Sequence, residues 1–234
     1  MPEKIIAKPR NDERLFLCVA MAVALVFGTG LCVLLFALNR QDASPLPAYD
    51  RLPDSRPVAL PPDHPRQLIA FSLRDQAGRQ ITRADLNGKF LVVSFLFTSC
   101  SLTCPIVSRQ MTEIQQLTTN QPDVQLVSLT VDPEDDSAPV LAKYGQRFGA
   151  DTNRWLLLTG DEAAVHHLIG TSFLSPDTND VFSYMPGNFA NIERIALVDP
   201  QGKVRAYFDG LNQDVAGAVV AEIARLRKQI SGNP

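Results

Sequence analysis

The apolar positions of this chain fall into one long block, a proline-broken gap and then a series of short runs. Residues 15–39 contain no charged side chain, and crossing a hydrocarbon core takes about 20 apolar residues at 1.5 Å rise each. A membrane-spanning helix is therefore predicted there. Gly28 and Gly30 are compatible with it, because lipid enforces hydrogen bonding within the helix backbone. The run exceeds the roughly 7–15 apolar residues of a signal peptide, and no small-x-small cleavage site follows it, so the anchor is expected to be retained. Lys4, Lys8, Arg10 and Arg14 precede the run. The positive-inside rule leaves residues 1–14 in the cytoplasm and sends the C-terminal bulk across a cytoplasmic (inner) membrane. Pro45, Pro47, Pro53, Pro57, Pro61, Pro62 and Pro65 then crowd residues 40–66, which reads as a semi-rigid spacer.

From residue 67 the pattern is that of a folded domain, expected over 67–230 with a short tail at 231–234. Residues 71–73 and 80–82 flank the turn Asp75-Gln76-Ala77-Gly78 as a small hairpin. Residues 85–88 form a further turn. Residues 90–97 are a nearly continuous apolar run of strand length, as expected of a strand buried on both faces. Ile106, Met111, Ile114 and Leu117 share a face of a helix over 105–119. Residues 124–131 and 155–159 give two more buried strands, with a helix after each, the first ending near Phe148 and the second, capped by Asp161, near Gly170. Residues 195–198 and 204–207 close a hairpin around Asp199-Pro200-Gln201-Gly202, and a last helix covers 213–228. This alternation predicts an α/β fold, a mixed central sheet with helices on both faces.

Charge and composition narrow the function. A net charge of −3 gives no basic footprint for nucleic acid. Of four cysteines, Cys18 and Cys32 lie in the apolar block, where they read as small apolar residues. Cys100 and Cys104 sit just past a buried strand, at the end of the sheet where open α/β folds bind ligands. If Cys100 opens the helix, Cys104 faces the same side one turn on, and the Cα atoms lie about 6 Å apart, close enough for a disulfide. Two thiolates at that spacing also suit Cu(I). The helix N-terminus favours the thiolate at Cys100. A CxxxC at the first strand-to-helix junction points to a thioredoxin-like arrangement.

The segment Phe97-Thr98-Ser99-Cys100-Ser101-Leu102-Thr103-Cys104-Pro105 resembles the F-T-x-C-x-x-x-C-P signature of the SCO/SenC family. Val131-Asp132-Pro133-Glu134-Asp135-Asp136 is similar to that family's V-D-P-E-x-D segment. Residues 155–160 and 197–202 fit as well. The resemblance covers roughly 67–229 and implies an anchored thioredoxin-fold protein that assembles the copper centre of cytochrome c oxidase, with subunit II as the implied partner. It also implies copper bound by Cys100, Cys104 and a histidine a few residues before the strand at 195–198. Here that position is Asn191, a poor Cu(I) donor.

Met185 lies in the same loop and could offer a thioether. His166 and His167 are adjacent on a helix and point to different faces, so they do not form a metal pair. Residues 132–136 read as an acidic helix N-cap rather than a metal site. Three functions fit: copper delivery in oxidase assembly, thiol–disulfide exchange on an exported partner without metal, and a redox- or copper-sensing interaction module. A peroxiredoxin-like activity is excluded by the lack of the expected proline before Cys100.

Overall fold

The computed structural model describes residues 58–59, 66–173 and 193–232. The predicted membrane span, most of the spacer, and both Met185 and Asn191 lie outside the described residues. Among the described residues, no helix is long and apolar enough to cross a membrane.

The strands are β1 (Val58–Ala59), β2 (Ser72–Asp75), β3 (Gln80–Thr82), β4 (Phe90–Leu96), β5 (Val124–Thr130), β6 (Trp155–Thr159), β7 (Arg194–Val198) and β8 (Val204–Asp209). The helices are α1 (Cys104–Leu117), α2 (Ala138–Arg147), α3 (Glu162–Phe173) and α4 (Val215–Ser231). One mixed sheet runs β1-β8-β7-β4-β5-β6-β2-β3. β4, β5 and β6 are parallel, and the other pairings are antiparallel.

The apolar runs account for this order. Every residue of β4, β5 and β6 is buried, so both faces of the central sheet are covered, as the parallel arrangement requires. α3 covers the face that presents Phe95, whose ring meets Phe173 edge-on at 5.4 Å. The alternate positions carry Ser94 and Ser128, register partners on β4 and β5, whose hydroxyls bond at 2.7 Å. The buried Trp155 donates its Nε1–H to Ser128 Oγ at 2.9 Å. These polar atoms satisfy one another, which is the condition for burying them.

Both hairpins use one device. Asp75 Oδ1 accepts the N–H groups of Ala77 and Arg79, and Asp199 Oδ1 accepts those of Gln201 and Lys203. The second oxygen of each is paired with an arginine, Arg79 at 2.7 Å and Arg205 at 3.0 Å. Gly78 and Gly202 take the positive φ angles, +78° and +85°, that close the turns. Residues 85–88 were expected as a turn, and Arg83–Leu86 forms a 3₁₀ helix there, with Asp85 accepting from the Thr82 N–H and hydroxyl.

The sheet also reaches back into the stretch expected as spacer. Val58 and Ala59 pair with Tyr207 and Ala206 of β8. Two residues between prolines are enough to extend an edge, where a missing N–H on one side costs nothing.

Candidate functional site

The parallel strands β4 and β5 end side by side, and the two loops that leave them form the site. The first, residues 97–103, is a turn closed by the Cys100 N–H on Phe97 O at 3.1 Å. α1 opens only at Cys104, with Thr103 as its N-cap and Pro105 in the first turn, where a missing N–H is harmless. Cys100 therefore lies in the loop ahead of the helix, not at its first residue. Proline forbids the helical conformation's usual hydrogen bond at its own position, and the turn at residues 97–100 spends the preceding residues in reversing the chain.

This placement brings the two sulfurs together by another route. The Thr103 side chain makes no cap hydrogen bond. The Cys104 N–H, one of the orphan donors of α1, goes instead to Cys100 Sγ at 3.3 Å. Thr103 Oγ1 is 3.8 Å from the same sulfur. Both cysteines are unbridged; Cys104 is fully buried and Cys100 half-buried.

The electrostatics divide the pair. Burial works to raise the Cys100 thiol, but hydrogen bonds from the Cys104 thiol and N–H, the Leu102 N–H and Thr103 outweigh it, and its pKa is lowered. For Cys104 burial and the hydrogen bond it gives Cys100 act in the same direction, pushing it up to about 12. Of the two, Cys100 is the more accessible and the more readily ionised, and Cys104 is held protonated beneath it. Leu102, between them in sequence, is 63% exposed.

A tyrosine approaches the pair from α2. Its hydroxyl bonds Ser108 Oγ at 2.7 Å, and Ser108 lies one turn along α1 from Cys104. Burial, with the nearby Cys104 and Cys100, pushes Tyr144 up to about 12 against the lowering effect of Ser108. Neither Tyr144 nor Ser108 was singled out from sequence.

The acidic segment 132–136 does not cap α2. The N-cap of that helix is Ser137, which makes no side-chain cap bond. Asp136 turns inward instead. Its carboxylate accepts the Thr98 N–H and hydroxyl and the Thr130 hydroxyl. The only sequence signal was an acid one position too early to be a cap, beside threonines at the ends of two strands. Asp132 has its pKa raised, first by burial and then by the neighbouring Asp135, Asp136 and Glu162.

The histidines take separate partners, as their adjacency implied. His166 Nε2 faces Val131 O at 3.4 Å, with Glu162 at 3.8 Å from Nδ1, while His167 Nδ1 faces Thr171 Oγ1 at 3.4 Å. Among the described residues no three His, Cys, Asp or Glu side chains converge as a metal site. Among the described residues the cysteine sulfurs are those of Cys100 and Cys104. β7 begins at Arg194 and runs antiparallel to β4, with Ile195 opposite Ser94, so its first residue lies at the end of β4 that carries the cysteine loop.

Comparison with known proteins follows the same lines. Residues 61–228 match the family model SCO1/SenC. A SCO1/SenC family lipoprotein from Bacillus anthracis has a TM-score of 0.59 at 26% identity, covering 73% of this chain and 97% of that one. BsSco, described with a disulfide switch and as a member of the Sco family of cytochrome c oxidase assembly proteins, scores 0.55 at 25% identity over 68% and 94%. Yeast Sco1, solved with copper bound, shares the fold with a TM-score of 0.55 at 23% identity over 70% and 94%. With a thioredoxin-like α/β domain and a family model matched over most of its length, the chain belongs to the SCO1/SenC family.

Proposed function

We propose that this protein is a membrane-tethered assembly factor for the copper centre of cytochrome c oxidase, working through Cys100 and Cys104. The observation that carries the reading is the asymmetry of the pair: a half-buried Cys100 favoured as thiolate, over a buried Cys104 held protonated. Cu(I) is cargo in this scheme. Two soft sulfur donors four residues apart, brought together by the turn and the start of α1, suit it, and Cu(I) accepts low coordination numbers. Cys100 would engage the ion first and Cys104 would follow with loss of its proton, since metal binding requires thiolates. Residues 15–39 anchor the chain and residues 1–14 face the cytoplasm. The domain then lies outside the cytoplasmic membrane, where an exported copper-binding subunit such as subunit II is within reach.

The substitution of Asn191 for the family's histidine favours a second reading, thiol–disulfide exchange. Cys100 thiolate attacks one sulfur of a partner disulfide, the partner's S–S bond breaks, and one partner sulfur leaves as thiolate. Cys104 then loses its proton and attacks Cys100 Sγ, releasing the second partner thiolate. The partner gains two electrons and the Cys100–Cys104 pair is oxidised to a disulfide. Preparing a partner's thiols in this way and delivering copper to them are successive needs of one assembly process.

Titration of the reduced full chain in detergent with Cu(I), against a competing chelator, separates the two. Binding at least tenfold tighter than that of the Cys100→Ser variant supports copper delivery. Equal affinities remove it and leave exchange, which reduction of a model disulfide by wild type, and not by Cys100→Ser, would then establish. Cleavage of the domain by protease added to spheroplasts tests the orientation.

A further inference from the structure

The loop that carries Cys100 is held by a carboxylate that neither copper binding nor thiol exchange uses. Asp136 is 1% exposed. It takes the Thr98 N–H at 3.2 and 3.1 Å, the Thr98 hydroxyl, and the Thr130 hydroxyl at 2.6 Å. These are neutral donors. A buried carboxylate is tolerated only while its donors stay in place, so it resists any movement of Thr98 or Thr130.

Both ends of this clamp are fixed. On the β5 side, the Asp132 N–H bonds Thr130 Oγ1 at 3.0 Å, and the Asp136 N–H bonds Asp132 O at 3.0 Å. On the β4 side, Thr98 is the second residue of the turn that the Cys100 N–H closes on Phe97 O. Where Thr98 sits therefore decides where Cys100 sits, two residues later. The Cys100 sulfur must stay 3.3 Å from the Cys104 nitrogen to receive its N–H.

We propose that Asp136 is a positioning residue for Cys100: by clamping Thr98 to the end of β5, it holds the Cys100 sulfur over the first N–H of α1. The proposal rests on the reading of Cys100 as the residue that engages copper or a partner disulfide first, and it holds for copper delivery and disulfide exchange alike. A carboxylate that merely joined two loops would contribute to stability and leave the chemistry of Cys100 unchanged.

The test is the rate of Cys100 alkylation by iodoacetamide at pH 7 in the reduced full chain in detergent, followed peptide by peptide by mass spectrometry. The variants are Asp136→Asn, Thr98→Val and Thr98→Ser, each checked by circular dichroism. Removing a negative charge near a thiol by itself favours the thiolate and speeds alkylation. Loss of position does the opposite, because the sulfur loses the N–H that favours its charged form. Asp136→Asn and Thr98→Val are expected to slow Cys100 about threefold or more, and Thr98→Ser, which keeps the hydroxyl, to match wild type. Folded Asp136→Asn and Thr98→Val proteins reacting at the wild-type rate or faster would overturn the proposal. So would a Thr98→Ser variant as slow as Thr98→Val. If Asp136→Asn does not fold, the two Thr98 variants decide. A wild-type Cys100 no faster than a free cysteine peptide would overturn the reading of Cys100 itself, and the positioning role with it.

Discussion

Raising the pH should attack this fold at Cys104. The thiol is fully buried and its pKa is pushed up to about 12, first by burial and then by its hydrogen bond to Cys100. An unfolded chain ionises the same thiol near its ordinary value of 9.0. Because the folded value is the higher one, the stability this group contributes is complete below pH 9 and is lost as the pH climbs towards 12. The loss is about 1 kcal/mol for each pH unit in that window. Cys100 acts with the opposite sign. Its pKa is lowered in the folded chain, so its contribution is lost as pH falls through the folded value and is complete above the ordinary thiol range. The summed contribution of the pair therefore peaks near pH 9. At that pH about one Cys104 in a thousand is ionised, against half of an ordinary thiol. Urea denaturation of the reduced chain at pH 8, 9, 10 and 11, beside Cys104→Ala, isolates the effect from tyrosine and lysine titration. Wild type should lose about 2 kcal/mol more than the variant between pH 9 and 11. In the folded protein at pH 9, iodoacetamide should label Cys100 and leave Cys104 untouched. Parallel pH profiles for wild type and Cys104→Ala, or equal labelling of the two cysteines, would refute the account.

Other outcomes follow from single contacts. A Cβ at Gly210 would stand 2.6 Å from Glu193 O and 3.0 Å from Val107 Cγ2, so Gly210→Ala should cost about 1–3 kcal/mol in urea denaturation. Gly217, exposed on α4 with nothing within 4 Å of an added Cβ, should give the reverse, a gain of about 0.5–1 kcal/mol for Gly217→Ala. Removing the Asp75 carboxylate leaves the Ala77 and Arg79 N–H groups and the Arg79 guanidinium without it, and Asp75→Ala should lower stability by about 2–4 kcal/mol. Asn191→His should tighten Cu(I) binding at least tenfold in chelator competition, and should not do so in a Cys100→Ser background; an unchanged affinity would mean that position 191 is not the missing ligand's place.

Much of the fold was legible because it is written in runs. β4, β5 and β6 are mostly apolar stretches of strand length whose residues are all buried, and a run such as Phe90–Leu96, broken only by Ser94 and ending just before a CxxxC, reads as a central strand. The D-x-x-G tetrads at Asp75 and Asp199 were equally clear, since an aspartate that accepts the N–H groups two and four residues on and a glycine at positive φ are local devices. β1 was hidden for the converse reason. Two residues among prolines carry no period, and they become a strand only because β8 offers an open edge at Tyr207 and Ala206. Strand formation there is a tertiary event with no local signature.

At the site, sequence located the sulfurs and misjudged what holds them. Spacing suggested that a helix begun at Cys100 would carry both cysteines on one face. In fact a turn carries Cys100, and the helix begins at Cys104. The sulfurs still meet, because the unfilled cap of α1 leaves one N–H that Cys100 can take. An i, i+4 spacing therefore brings two side chains together whether or not the first residue is helical, provided that something fixes the turn. That something is non-local: Asp136 is 38 residues from Thr98 in sequence, and sequence proximity to α2 made it look like a cap. The cysteine pair is thus read from its own strand–helix junction, while the turn that carries Cys100 is tied to the next crossover along the sheet. Because β4 and β5 run parallel, the loop after β5 must return to the same end of the sheet as the cysteine loop. A buried acid at the end of the second loop is where such a support belongs.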